Sequence, residues 1–156
     1  QGYSSAASDV YKRQLFGFLP ADAAVSPYLG VYLTAILAVV GHTKPIYFGF
    51  KGGKGVLVAG GAILAIQPIL LPVLTVVFLL CLVPTGMVSL GSIAMAASYP
   101  VLTLIYGLLK GFAADDLIVC VVGAAIMGGM VIWMHRANIQ RIREGKEYRF
   151  GSKHKQ

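Results

Sequence analysis

Glycine and lysine dominate the short segment GFKGGKG at residues 49–55. Its central residues are Lys51, Gly52, Gly53, Lys54 and Gly55. Glycines adopt positive φ at little cost, so successive backbone N–H groups can converge on an anion. The lysines add positive charge, and the apolar segment from Val56 predicts a helix whose N-terminal N–H groups lie beside them. The segment predicts a site for a phosphate monoester or an acyl phosphate; the alternative is a flexible turn whose lysines contact lipid headgroups.

A second polar segment, MHRANIQRIREGKE at residues 134–147, follows the last apolar stretch of the sequence. As a helix it places His135 and Asn138 on one face at i and i+3, with Arg141 one turn further on. His135 can act as a general base or as an uncharged hydrogen-bond donor, and Asn138 can orient it or bind a hydroxyl. The alternative is an amphipathic helix that lies on lipid.

Two serines and a further histidine complete the set of candidate residues. The segment SLGS puts Ser89 and Ser92 at a predicted helix start. They cap that helix or, as the sharper hypothesis, bind a phosphate or an acyl carbonyl. His42 precedes the glycine-rich segment together with Pro45, where it is better suited to shaping the turn than to reacting.

The composition predicts that membrane helices position these residues. The chain has 156 residues, of which 57% are hydrophobic and only 12% charged, which is typical of a polytopic membrane protein. The net charge is +7, and the basic residues lie at the ends of apolar stretches. That distribution follows the positive-inside rule, so no nucleic-acid partner is expected. The apolar stretches lack ionisable residues, which argues against an ion-coupled carrier.

Five membrane spans in an all-α bundle are predicted. A span needs about 20 mostly apolar residues, and the apolar stretches are 25–41, 56–84, 90–109 and 117–134. The stretch 56–84 is long for one span and short for two. Both the segment 42–55 and the C-terminal tail carry excess basic residues, which places both on the cytoplasmic side. An even number of spans must then separate them, so we predict two short helices joined at Gln67-Pro68.

Three regions are expected along the chain. Residues 1–14 are polar, begin with Gln1 rather than methionine and differ from all that follows, and we interpret them as an artefactual, non-native N-terminus. Residues 15–134 are predicted to form the transmembrane helical bundle. Residues 135–156 are predicted to form a basic cytoplasmic C-terminal segment.

Three motifs, GHTKPIYFGFKGGKG (41–55), SLGSI (89–93) and HRANIQR…GKE (135–147), resemble in order and spacing the bacterial acyl-phosphate:glycerol-3-phosphate acyltransferases, the PlsY family. The resemblance implies a multi-pass enzyme of the bacterial inner membrane, with seven helices and an active site that faces the cytoplasm. It implies transfer of a fatty acyl group from acyl phosphate to the 1-hydroxyl of glycerol 3-phosphate, which gives lysophosphatidic acid and phosphate. No cofactor is implied, and the partners are these two substrates and membrane lipids.

The resemblance also assigns residues by position. The GGKG loop with Lys51 would hold the acyl-phosphate headgroup, and Ser89 or Ser92 would line the site beside His135 and Asn138. The predicted substrate-binding set is Lys51, Gly52, Gly53, Lys54, Gly55, His42 and Arg141; the predicted catalytic set is His135, Asn138, Ser89 and Ser92; no metal ligand is predicted. The family's first helix and first motif are expected upstream of residue 15. The alternatives to the acyltransferase function are a small anion transporter and an inactive membrane fragment.

Overall fold

The computed structural model describes residues 26–50 and 52–150, and this part of the chain contains helices and no strands. The helices are α1 (Pro27–Thr43), α2 (Val56–Ile66), α3 (Leu70–Thr85), α4 (Val88–Lys110), α5 (Ala114–Met134) and α6 (Arg136–Arg143), with a 3-10 turn at Ile46–Phe48. The predicted all-α class is confirmed. The interpretation of residues 1–14 lies outside the described residues.

Local sequence signals explain where the helices begin and end. Ser26 accepts a hydrogen bond from the N–H of Tyr28, and Pro27 opens α1, a position that suits its fixed φ. α3 and α4 both end at a glycine with positive φ, Gly86 and Gly111. Pro68 disfavours helical backbone at the residue before it and cannot donate to a helix, so α2 ends at Ile66. The predicted division of the stretch 56–84 into two helices is confirmed.

Five apolar helices correspond to the five predicted spans, although their lengths differ. α4 and α5, with 23 and 21 residues, are each long and apolar enough to cross a membrane. α1 and α3 have 17 and 16 residues, whereas α2 has only 11. An 11-residue helix rises about 16 Å, roughly half of the hydrocarbon core of a bilayer. Large apolar side chains face outward, with Leu57, Val83 and Leu109 each at least 79% exposed, as expected of a surface in contact with lipid.

α4 and α5 form the centre of the bundle, where small residues let backbones approach closely. α4 also packs against α3, and α1 packs against α5. A Cβ at Gly128 would lie 2.4 Å from the carbonyl oxygen of Ala96, and a Cβ at Gly123 would lie 2.4 Å from Cδ1 of Tyr32. Only glycine fits at such contacts between helices. Ala124 and Gly128 are buried in this contact, whereas a Cβ at Gly129 would meet open space.

The alternating course of the helices brings the polar segments to one end of the bundle. α1 and α5 end there, α2 and α4 begin there, and α6 follows α5 after a break at His135. The chain then returns, because the N–H of Phe150 donates to the carbonyl oxygen of Gly86, 2.7 Å away, in the turn between α3 and α4. The C-terminal segment thus lies beside the start of α4.

Candidate active site

An open pocket of about 530 Å³ lies at this polar end of the bundle. Six predicted site residues line it: Lys54, Ser89, Ser92, His135, Asn138 and Arg141. Its other lining residues are Val56, Phe78, Val88, Glu147 and Tyr148. Residues from the glycine-rich loop, the start of α4, the end of α5, α6 and the tail therefore meet in one pocket.

Glu147 holds these elements together. Its Oε1 atom accepts hydrogen bonds from Oγ of Ser89 at 2.7 Å and from Nδ2 of Asn138 at 2.6 Å. Its Oε2 atom accepts from Nε of Arg141 at 2.8 Å, in an ion pair. The side chain of Glu147 is only 5% exposed, whereas that of Arg141 is 47% exposed. One carboxylate thus ties α4, α6 and the tail to each other.

Glu147 is ionised in this setting. Burial raises the pKa of a carboxyl group, but the hydrogen bonds from Ser89, Asn138 and Arg141 outweigh it and hold the pKa of Glu147 below its ordinary value. Glu147 is not among the site residues that the sequence predicted. The available signal was an acidic residue in an otherwise basic segment, and its partner Ser89 lies 58 positions earlier in the chain.

His135 lies in the break between α5 and α6 and is only 2% exposed. Its Nδ1 atom is 2.7 Å from the carbonyl oxygen of Val131. Because a carbonyl can only accept, Nδ1 carries the proton, and Nε2 of the neutral ring is left as an acceptor. Burial is the main cause that lowers the pKa of His135; the Val131 carbonyl opposes it, and the charge of Lys54 adds to the lowering. The ring is therefore neutral at pH 7.

The glycine-rich loop differs in detail from the prediction. Among Gly52, Gly53 and Gly55 only Gly55 has positive φ, at +78°, where it forms the N-cap of α2. Gly52 and Gly53 are required for another reason, since a Cβ on them would lie 2.1 Å from the backbone oxygen of His42 and 2.4 Å from its Nε2 atom. The N–H of Gly53 donates to that same oxygen at 3.3 Å, so it does not point at an anion. The prediction for Lys51 lies outside the described residues.

His42 and Lys54 have different positions relative to the pocket. His42 is exposed, does not line the pocket and supports the loop from beneath through Gly52 and Gly53. Lys54, the next residue, lines the pocket. No side chain caps α2, so its first N–H groups beyond Gly55 stay available at the pocket rim near Val56. The positive charge at this rim comes from one described lysine and one helix end.

The two serines of α4 sit in different hydrogen bonds. α4 begins at Val88, before both serines, and its N-cap is Met87. Neither serine therefore caps the helix. Ser92 donates to the carbonyl oxygen of Val88 at 3.0 Å, while Ser89 donates to Glu147.

Within residues 26–50 and 52–150 there is no group of three or more His, Cys, Asp or Glu side chains that could hold a metal ion.

Together the fold and the pocket define an integral membrane protein of the helical class with a cationic site at one end of its bundle. A model of the glycerol-3-phosphate acyltransferase family matches residues 2–145. The chain belongs to this family.

Curated relatives that match the chain are named glycerol-3-phosphate acyltransferase. The glycerol-3-phosphate acyltransferase of Syntrophomonas wolfei is 38% identical over 121 residues, which are 78% of this chain and 58% of that protein. The enzyme of Listeria monocytogenes EGD-e is 42% identical over 74% of this chain and 54% of that protein. The enzyme of Clostridioides difficile is 37% identical over 83% and 59%, respectively. The chain thus spans somewhat more than half the length of these relatives.

A solved structure has the same fold. It is PlsY, an integral membrane glycerol 3-phosphate acyltransferase, in its glycerol 3-phosphate form; the TM-score is 0.66 at 30% sequence identity, over 92% of this chain and 64% of that one. The lysophosphatidic acid form of PlsY matches equally well, with a TM-score of 0.66. These likenesses confirm the family that the three sequence motifs indicated.

Proposed function

We propose that the protein transfers a fatty acyl group from acyl phosphate to the 1-hydroxyl of glycerol 3-phosphate, and that the products are lysophosphatidic acid and inorganic phosphate. The observation that carries the proposal is the meeting of Lys54, Ser89, His135, Asn138 and Arg141 in one open pocket at the end of an apolar bundle. Such a pocket suits a ligand with an anionic head and an apolar tail. The two forms of the PlsY neighbour support the same acceptor and product.

The reaction requires little chemistry from the protein. Phosphate is a good leaving group, so acyl phosphate is already activated and no covalent nucleophile is needed. The protein must align the two substrates and stabilise the charge that develops on the carbonyl oxygen and the leaving phosphate. Lys54 and the uncapped N-terminus of α2 supply positive potential at the rim of the pocket. Arg141, which also lines the pocket, supplies a guanidinium, although Glu147 already engages its Nε atom.

His135 is the group that we assign to the acceptor hydroxyl. With Nδ1 bonded to Val131, its free Nε2 atom accepts a hydrogen bond from the hydroxyl and takes the proton as the oxygen attacks the acyl carbon. The lowered pKa keeps the ring in the neutral form that this role needs. Asn138 has one amide hydrogen on Glu147, and its remaining amide groups can bind the hydroxyls of glycerol 3-phosphate.

We further propose that the protein lies in the bacterial inner membrane with the site on the cytoplasmic side. Basic residues concentrate at the site end: Lys54, Arg136, Arg141, Arg143, Lys146 and Arg149. Asp115 and Asp116 lie at the start of α5, at the opposite end of the bundle. The positive-inside rule supports that orientation.

Purified protein in lipid nanodiscs tests the reaction. Acyl phosphate with glycerol 3-phosphate should release phosphate and form lysophosphatidic acid, whereas acyl-CoA should give no product. Lys54→Gln should lower kcat/KM by about 10- to 100-fold, because it removes one charge-assisted contact worth about 1.5–3 kcal/mol. Lys110→Gln, at the far end of α4, is the matched control and should leave the rate unchanged.

Other outcomes would overturn the proposal in distinct ways. Product from acyl-CoA but not from acyl phosphate would replace the donor. Counterflow of phosphate across proteoliposomes without any acylated product would favour a transporter.

A further inference from the structure

The hairpin formed by α2 and α3 turns back before it reaches the far end of the bundle, which is the end opposite the pocket. Both helices are short, with 11 and 16 residues, and Gln67, Pro68 and Ile69 form the turn between them. The Oε1 atom of Gln67 accepts from Oγ1 of Thr103 at 3.3 Å, which fixes the level of the turn along α4. α4 continues from Thr103 to Lys110, so it extends about 10 Å past the turn.

The far ends of α4 and α5 carry residues that are typical of a membrane surface. Lys110 ends α4, and Asp115 and Asp116 lie in the first turn of α5. The Nζ atom of Lys110 lies 6.0 Å from the centre of the ring of Tyr106, an aromatic residue of the kind enriched at bilayer interfaces. These residues mark the level of the far membrane surface. If the bilayer were flat, the turn of the hairpin would lie about 10 Å inside its hydrocarbon layer.

Backbone carbonyl groups at this turn lack hydrogen bonds. Within the described part of the chain, three carbonyl oxygens at the end of α2 accept no backbone N–H, those of Leu64, Ala65 and Ile66. Pro68 has no N–H to donate to Leu64, and the N–H of Leu70 donates to the carbonyl oxygen of Gln67 instead. Unpaired carbonyl groups are too costly to leave in contact with lipid tails. The turn therefore needs hydrogen-bond donors from outside the bundle.

An open notch lies between the turn and the far end of α4. The face of α4 that packs on α3 is marked by Gly91, whose Cβ would lie 2.7 Å from Cδ2 of Phe78. At helical spacing this face continues to Ile105 and Leu109, which are 48% and 81% exposed. Ile69, in the turn itself, is 57% exposed. The far-side notch is thus bounded by Ile69, Ile105 and Leu109.

We propose that the headgroup layer of the far leaflet, with its water, descends into the far-side notch and covers the turn. Water and headgroups supply the donors that the carbonyl groups require, whereas lipid tails do not. Lys110 at the rim of the notch attracts lipid phosphate. A short apolar element thins the bilayer around it at modest cost. The bilayer is then about 10 Å thinner over the hairpin than beside α5.

Spin labels on single cysteines in proteoliposomes test this contact. The native cysteines, Cys81 and Cys120, are first replaced by alanine. Electron paramagnetic resonance then measures how often each label collides with a water-soluble nickel complex and with oxygen, which concentrates among lipid tails. Nickel access should be about tenfold higher at Ile69→Cys than at Val122→Cys, because a polar complex partitions poorly into hydrocarbon.

Val122→Cys is the control at matched depth and exposure. Gly128 of α5 meets Ala96 of α4, and the two helices run in opposite directions. Six residues further toward the far end, Val122 therefore lies within one residue of the level of Thr103. Val122 is 51% exposed, against 57% for Ile69. Its label should collide with oxygen and hardly at all with the nickel complex.

Val76→Cys is the control within the hairpin. Val76 lies on α3, about 10 Å closer to the site end than Ile69, and is 54% exposed. Its label should behave like the label at Val122, because only the turn lies under the headgroup layer. All three labelled positions are exposed, so the labels replace no side chain of the packed core.

Three results would overturn the proposal. Equal nickel access at Ile69 and Val122 would place both residues among lipid tails. Low access of both reagents at Ile69 would mean that a second copy of the chain or another protein segment covers the notch. High nickel access at Val76 as well as at Ile69 would mean that the whole outer face of the hairpin lies in water, rather than its turn alone.

Discussion

Two hydrogen-bonded groups of side chains in this bundle differ in charge and in what they connect. The pocket cluster consists of Ser89, Asn138, Arg141 and Glu147. The interior cluster consists of two hydrogen-bonded pairs, Tyr32 with Tyr99 and Gln67 with Thr103. The first is built on one ionised carboxylate that three donors satisfy. The second is uncharged, and within the described part of the chain the Nε2 atom of Gln67 has no partner.

The difference separates residues that hold the site from residues that hold the bundle. Hydrogen bonds to a charged group contribute about 1.5–3 kcal/mol, against about 0.5–1.5 kcal/mol for neutral pairs. The pocket cluster joins α4 to the tail and so fixes the pocket walls. The interior cluster links α4 to α1 through Tyr99 and Tyr32, and to the residue after α2 through Thr103 and Gln67, inside the bundle and away from the pocket lining. Substitutions in and around the pocket cluster should therefore change catalysis, and substitutions in the interior cluster should change stability alone.

His135→Ala should have the largest effect, since His135 lines the same pocket as the pocket cluster and is the proposed general base. Loss of a positioned general base lowers kcat by about 10²- to 10⁴-fold. The KM for glycerol 3-phosphate should change much less. Steady-state kinetics of phosphate release check this expectation. Near-normal turnover in a folded His135→Ala protein would remove His135 from the catalytic set and leave a substrate phosphate as the base.

Glu147→Gln should come second. The amide keeps the shape of the side chain but removes the charge that three donors share, so the free energy of unfolding should fall by about 1–3 kcal/mol. Arg141 contributes less to this loss than Ser89 and Asn138 do, because its side chain is 47% exposed and solvent weakens its ion pair. Turnover should fall by about tenfold or more as the walls loosen. Thermal unfolding in detergent, measured beside kinetics, checks both effects.

Glu144→Gln is the control for that substitution. Glu144 lies three residues earlier, is 41% exposed and pairs only with exposed groups, Gln140 and Lys146. Its substitution should change stability by less than about 0.5 kcal/mol. Equal effects at Glu144 and Glu147 would mean that the tail charge as a whole matters, rather than the pocket cluster.

Gly53→Ala should act on binding rather than on turnover. Its Cβ would meet Nε2 of His42 at 2.4 Å, so the imidazole and the loop must move apart. The loop then shifts slightly and carries Lys54 with it. We expect the KM for acyl phosphate to rise about tenfold, the equivalent of about 1.4 kcal/mol, with kcat little changed. Gly61→Ala, in open space on α2, should leave both constants unchanged.

As the pH is lowered, stability should fall first through protonation of His135 and only then through protonation of Glu147. The pKa of folded His135 lies below its ordinary value of 6.5, so the unfolded chain takes up the proton first. Stability is therefore full above about pH 6.5 and falls as the pH drops below it. The pKa of Glu147 is also lowered, so its stabilisation is lost only at more acidic pH, below its ordinary value of 4.5. Between about pH 7 and about pH 5 the Tm of the unmodified chain should fall as the pH is lowered, and the Tm of His135→Gln should change much less.

The sequence was sufficient for the elements that depend on local chemistry. Apolar length predicted the helices, Pro68 predicted the end of α2, and the distribution of lysine and arginine predicted that α2 and α3 are separate. Motif order indicated the family, and six predicted side chains line one pocket. Each of these predictions needed only neighbouring residues or a known order of motifs.

Features that depend on distant contacts could not be predicted in this way. Glu147 resembles any tail residue until the fold brings Ser89 within 2.7 Å of it. Gly52 and Gly53 were expected to present backbone N–H groups to an anion, yet they serve to let the loop pass His42. The interior cluster is equally invisible in sequence, since Gln67 and Thr103 are 36 positions apart.

Gln67→Leu should have the smallest effect and gives the sharpest test of the contrast between the two clusters. Gln67 is 2% exposed, and its Oε1 atom accepts from Oγ1 of Thr103 at 3.3 Å while its Nε2 atom is unpaired. Leucine removes the unpaired donor, and the hydroxyl of Thr103 can bond a carbonyl in the preceding turn instead. The free energy of unfolding should stay within about 1 kcal/mol or rise, and kcat should not change.

Thr103→Val is the informative counterpart, because it removes the partner and keeps the glutamine. Both polar groups of Gln67 would then be buried without a partner, so stability should fall by about 1–3 kcal/mol while kcat stays constant. An interior substitution that abolished turnover in a stably folded protein would contradict the division, since it would show that the uncharged cluster takes part in the reaction. Equal stability losses in the two variants would show that the unpaired Nε2 atom is satisfied in solution, because removing it would then cost as much as removing its partner.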